Sequence, residues 1–143
     1  MRKIKDPWIA KQKFKNINLI QGKLDFIKWV DFVELNNDYF TWYENTQDGI
    51  HLLENLDKVP VWAREGILNS SKRKALAEFN NKKGYYEVVI SFNNELNVIG
   101  TTFQKKITKK HLYKLLEMAN YLDAFLLNNG TEIIDEKVIE SLT

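Results

Sequence analysis

The groups in this chain that could do chemistry are few, and their spacing argues against most of it. The two histidines, His51 and His111, fall in separate segments and form no HxxxH, HxH or HExxH pattern. There is no cysteine, so a zinc site would have to be assembled from scattered carboxylates. No metal and no other cofactor is expected. His111 falls in the first turn of an expected helix, where solvent is its expected surrounding. The serines at 70, 71, 91 and 141 lie in neither GxSxG nor SxxK, and Ser70 and Ser71 suit helix capping better than nucleophilic attack. The six glycines are spaced singly, which leaves no P-loop and no GxGxxG turn to cradle a phosphate.

Carboxylates are the remaining option. Asp31, Glu44, Glu65 and Asp123 have aromatic or apolar neighbours in sequence, and two of them in one cleft would form an acid–base pair. No local motif brings any two together, so no catalytic residue is assigned. Asp123 is the odd member, because on a helical projection it falls within a leucine stripe. A buried unpaired charge is costly. The residue is therefore expected either to hold a cation, with Arg64 the candidate, or to reach water at the helix end.

The positioning elements follow from pattern and punctuation. At 143 residues, 44% apolar and 28% charged, the chain is long enough to bury a core as a single domain, 1–143. No stretch is long and apolar enough for a membrane span, and a cytoplasmic location is expected. Residues 24–35, "LDFIKWVDFVEL", are apolar on both sides and rich in Phe, Ile, Trp and Val, which suggests a doubly buried strand. With the turn at 36–38 and "YFTWYE" (39–44) they form an expected hairpin. Asp48 would cap a short helix over 49–57, and residues 70–84 suggest a second, with Asn and Gly at its exit. A further hairpin spans 85–103, where a three-residue loop would set Phe92 opposite Leu96, Ile90 opposite Val98 and Val88 opposite Gly100. Gly100 would then admit a close neighbour on the packed face. Thr108 would cap a long helix over 109–129, followed by a strand at 131–134 and a terminal helix capped by Asp135. Together these predict an α+β fold: an antiparallel sheet of hairpins, with the long helix of the C-terminal half on one face and short helices in the middle.

Charge is distributed in blocks. Residues 1–28 carry eight basic and two acidic groups, residues 29–66 two and eight, residues 67–110 nine and three, and residues 111–143 two and six. Arginine occurs only at positions 2, 64 and 73, while lysine and asparagine are abundant, a bias that suits an AT-rich bacterial or phage source. With no catalytic motif, the pattern suggests a non-enzymatic protein-binding domain, such as an inhibitor or immunity-type protein that neutralises a basic toxin domain. Glu34, Asp38, Trp42, Glu44 and Asp48 are the expected partner-binding residues, an aromatic edged by acids. One alternative is a nucleic-acid-binding accessory protein using the lysine stretches at 11–15, 71–74, 81–83 and 105–110. The other is a small-ligand binder or enzyme with a carboxylate pocket.

Overall fold

The computed structural model describes residues 4–64 and 73–142. Seven antiparallel strands form one sheet in the order β2-β3-β4-β5-β1-β6-β7. They are β1 (Pro7–Ala10), β2 (Thr41–Trp42), β3 (Lys74–Asn80), β4 (Tyr85–Asn93), β5 (Val98–Phe103), β6 (Phe125–Asn128) and β7 (Glu132–Ile133). The helices are α1 (Phe26–Leu35), α2 (Gln47–Glu54), α3 (Lys109–Tyr121) and α4 (Glu136–Ser141). Residues 61–64 are also helical. The fold class is α+β, as the sequence predicts.

The main core lies between one sheet face and α1, α3 and α4. Ile9, Val88, Ile90, Phe92, Ile99 and Leu126 meet Trp29, Phe32, Leu112, Leu115, Met118 and Ile139 there. On the opposite face a smaller cluster of Ala10, Ile20, Val98 and Leu127 is closed by Trp8, Phe14 and Ile17. Successive strand residues therefore serve both layers: Leu126 belongs to the first and Leu127 to the second.

Four expected elements are corrected. Residues 26–35 form a helix rather than a strand. The Asp25 carboxylate accepts the amides of Ile27 and Lys28 at 2.9 and 3.2 Å, and Trp29, Phe32 and Val33 are buried at helical spacing. Ile27 and Leu35 remain 72% and 71% exposed, and it is these stray apolar residues that give the segment its two-sided appearance. Thr41–Trp42 therefore pairs with β3 instead of with residues 24–35. Residues 74–80 form a strand rather than a helix, with Ala75 and Ala77 paired to Ile90 and Val88; pairing overrides their helical propensity. The expected caps Ser70 and Ser71 lie outside the described residues.

The β4–β5 register also differs: Phe92 pairs with Ile99, Ile90 with Thr101 and Val88 with Phe103. Gly100 therefore faces Trp8, whose Cζ3 would stand 3.1 Å from an added Cβ. The close approach is real, but it occurs on the other face. Finally, the helix expected to run to residue 129 ends at Tyr121. Asp123 adopts φ +53°, and the chain turns into β6. Thr108 and Asp135 cap α3 and α4 as expected.

Candidate functional site

The outer sheet face over β3 and β4 carries a cleft. Its wall opposite the sheet is fixed by a compact backbone contact. Thr46 Oγ1 donates to the Tyr43 carbonyl at 2.6 Å and accepts the Gly49 amide at 3.0 Å, capping α2. A Cβ on Gly49 would lie 1.9 Å from that same carbonyl oxygen. Only glycine lets α2 press against the 3-10 turn Tyr43–Asn45 this closely. Thr46, not Asp48, is thus the cap, and Asp48 lies in the first turn of α2. The cleft has a volume of about 660 Å³ and is bounded by Tyr43, Gln47 and Asp48 on one side and by Leu76, Phe79, Tyr85, Tyr86 and Val89 on the other. Lys74 Nζ lies 6.0 Å over the Tyr43 ring.

The expected partner-binding residues divide. Asp48 lines this cleft, and half-buried Glu44 lies in the adjoining 3-10 turn. Trp42 is 5% exposed, so it is a core residue; its ring packs against Trp29 at 6.1 Å and its Nε1 donates to Glu34 Oε1 at 3.2 Å. Glu34 and Asp38 are exposed on α1 and on the turn after it. Among the carboxylates considered for acid–base work, Asp31 is exposed on α1, Glu44 sits beside α2, and Glu65 lies outside the described residues. The Asp123 side chain is 96% exposed, and Lys11 Nζ reaches its carbonyl oxygen at 2.8 Å and Oδ2 at 3.9 Å. Arg64 is engaged elsewhere, donating to the carbonyls of Val59 and Asp57. Asp123 is therefore a helix-end residue in water.

The residues missed from sequence are Glu78 and His111. Glu78 sits within β3 at φ +57°, a left-handed conformation that is rare for a residue with a side chain. Its carboxylate accepts Tyr39 Oη at 2.5 Å and Lys105 Nζ at 2.9 Å, and stands 2.6 Å from His111 Nε2. His111 is 7% exposed, not solvent-facing as expected. Its Nδ1 accepts the Thr108 amide at 3.0 Å, which assigns the proton of a neutral ring to Nε2, facing Glu78. Burial alone would raise the Glu78 pKa, but the hydrogen bonds from Tyr39, Lys105 and His111 outweigh it and lower the value to about 2. Burial, and then the bond to Glu78, push the Tyr39 phenol well above its ordinary range. The hydrogen bond to Glu78 raises Lys105.

Every member of this network is occupied: both ring nitrogens of His111 are engaged, and Glu78 stays ionised at neutral pH. The arrangement clamps β3 to the start of α3. The one signal in the sequence was the Thr108–His111 spacing, that of a capping box with histidine in place of glutamate. Beside the network a second cleft, of about 420 Å³, is lined by Tyr39, Lys105, Lys110 and Lys114 as well as Glu78 and His111. Among the described residues no group of three histidines, cysteines or carboxylates could hold a metal ion, and no helix is long and apolar enough to cross a membrane.

No protein-family model matches the chain, and no curated protein or solved structure is significantly similar to it.

Proposed function

We propose that this protein is a binding domain that recognises the basic surface of another protein through the acidic side of the larger cleft. The observation that carries this reading is the placement of Asp48 and Glu44 at a rigid lip beside the tyrosine-lined wall. Acidic rims around aromatic anchors favour basic partners by charge complementarity and set the rate of encounter. The same acidic block also exposes Ile50, Val61 and Trp62, the last at 83%, an unusual outlay of apolar surface for a segment with no partner. In a bacterial or phage setting, an inhibitor of a basic toxin domain fits this chemistry.

The test is a photo-crosslinking amino acid at Gln47, on the cleft wall, followed by identification of what it captures. The expected partner presents lysine and arginine at the crosslink. Glu44→Lys with Asp48→Lys should then weaken the purified complex by roughly tenfold or more, mainly through slower association. Unchanged affinity would remove this site from consideration.

A further inference from the structure

We infer that the turn after β3, together with the start of α3, is a sequence-independent binding site for single-stranded nucleic acid, whose rings Phe79 and Tyr85 also form the far wall of the larger cleft. The surface is assembled from two segments, the turn at residues 81–84 and residues 105–110. The turn after β3 is tied together by Asn80, whose Oδ1 accepts the amides of Lys82 and Lys83 at 3.0 Å. Asn80 also reaches Glu87 Oε1 at 3.4 Å, and Glu87 lies 3.7 Å from Lys105 Nζ. Lys105 in turn meets Glu78, which holds His111 at the start of α3. These links place Lys82, Lys83, Lys105, Lys106, Lys109 and Lys110 around one end of the molecule.

All six of these lysines are exposed. Lys105 is balanced by Glu78 and Glu87, and Lys109 donates to a backbone carbonyl. Among the described residues Lys82, Lys83, Lys106 and Lys110 have no ion pair, so their charge is available to a polyanion. Lys110 lies at the 420 Å³ cleft, whose walls also carry Lys105 and Lys114. This is a surface that tracks phosphates by charge.

The aromatic residues decide which polyanion. Phe79 and Tyr85 flank the same turn and are 49% and 39% exposed. The Phe79 ring is braced edge-on by Tyr86 at 4.9 Å, and Lys83 Nζ stands 5.9 Å from the Tyr85 centroid. Exposed, braced rings interleaved with lysines form stacking platforms for unpaired bases; a duplex keeps its bases stacked on each other and gains nothing from them. An acidic peptide or a lipid headgroup has no planar base to stack. Among the described residues this end carries lysine without arginine, which supplies charge but no bidentate reading of base edges and accounts for the absence of sequence preference in the inferred site.

The probe is a fluorescently labelled oligothymidylate of about 15 nucleotides, titrated with the intact protein by anisotropy. If three or four lysines engage phosphates, affinity should fall roughly 20- to 50-fold between about 50 and 200 mM salt. Exchanging Lys82, Lys83 and Lys110 for glutamate should weaken binding roughly tenfold or more and flatten that salt slope. The charge-neutral K82Q/K83Q variant should move both in the same direction by less. Tyr85→Ala should weaken binding about fivefold with the slope unchanged. Because Asp48 shares the cleft with Phe79 and Tyr85, Glu44→Lys with Asp48→Lys should strengthen oligonucleotide binding while weakening a complex with a basic protein, so the two readings fail in opposite directions. No binding at about 50 mM salt overturns the inference, as do lysine variants that bind like the parent. Equal affinity for a duplex of the same length, for polyglutamate or for phosphatidylserine vesicles also overturns it.

Discussion

The acidic lip is held in place by backbone packing, whereas the basic end is held by a charged hub. At the lip, Gly49 admits α2 to van der Waals contact with the Tyr43 carbonyl, and Trp42 packs edge-on against fully buried Trp29 below it. At the basic end the structure is joined through Glu78, whose carboxylate gathers a phenol, an ammonium and an imidazole. The first design tolerates changes of charge but not of volume; the second tolerates little change of charge.

That contrast can be broken by stability measurements, taken here from the largest expected effect down. Trp29→Ala removes a side chain with no exposure and should cost about 3–5 kcal/mol in urea unfolding, because the cavity cannot be refilled by its neighbours. Gly49→Ala should cost about 1–3 kcal/mol, since the added methyl meets backbone that must move; a cost near zero would show that the lip is pliable. Glu78→Gln should cost about 1–2 kcal/mol at neutral pH, the scale of weakened charge-assisted hydrogen bonds.

The Glu78 exchange also has a pH signature. The pKa of this carboxyl in the fold is about 2, below its ordinary 4.5. Its contribution is therefore complete above about pH 4.5 and is lost as pH falls through about 2. The stability of Glu78→Gln should consequently be flatter than the parent's across that window, while Gly49→Ala should parallel the parent. Two parallel curves for Glu78→Gln and the parent would refute the charged-hub description. Asp123→Gly, remote from both regions, should gain about 0.5 kcal/mol by relieving the left-handed backbone, with little lost from the exposed Lys11 pair.

The fold class, the helix caps at Thr108 and Asp135 and the existence of the β4–β5 hairpin were legible in the sequence because each rests on local chemistry. Most failures involve tertiary placement; the cap of α2 is the local exception, where Thr46 takes the place expected of Asp48. Residues 24–35 carry a clear cap in Asp25, yet exposed Ile27 and Leu35 blur the helical period. Ala75–Ala77 has a helix-forming composition and is drawn into the sheet by its neighbours. Leu126 falls on the stripe of α3 by coincidence, so that Asp123 looked buried when it is the residue that stops the helix. Of the residues expected to meet a partner, Asp48 lines the larger cleft and Glu44 lies beside it, whereas Trp42 belongs to the core. The Glu78 network was not legible, because it joins positions 39, 78, 105 and 111 through one backbone angle that no pattern of residue types records.

The sheet order has a consequence for how the chain comes together. Strand β1 lies between β5 and β6, where Ile9 pairs with Ile99 and with Leu126. Residue 9 therefore depends on residues 99 and 126, both far along the chain, before its backbone is paired on both sides. Until residues through Asn128 are available, β1 can pair only along its β5 edge, and its other edge stays open. Such long-range closure slows folding and leaves strand edges open while it is pending. Closing the second edge of β1 is thus a late step, and substitutions along β1 should be felt as poor yield from the cell as well as a lower melting temperature, since Ile9 and Ala10 are fully buried.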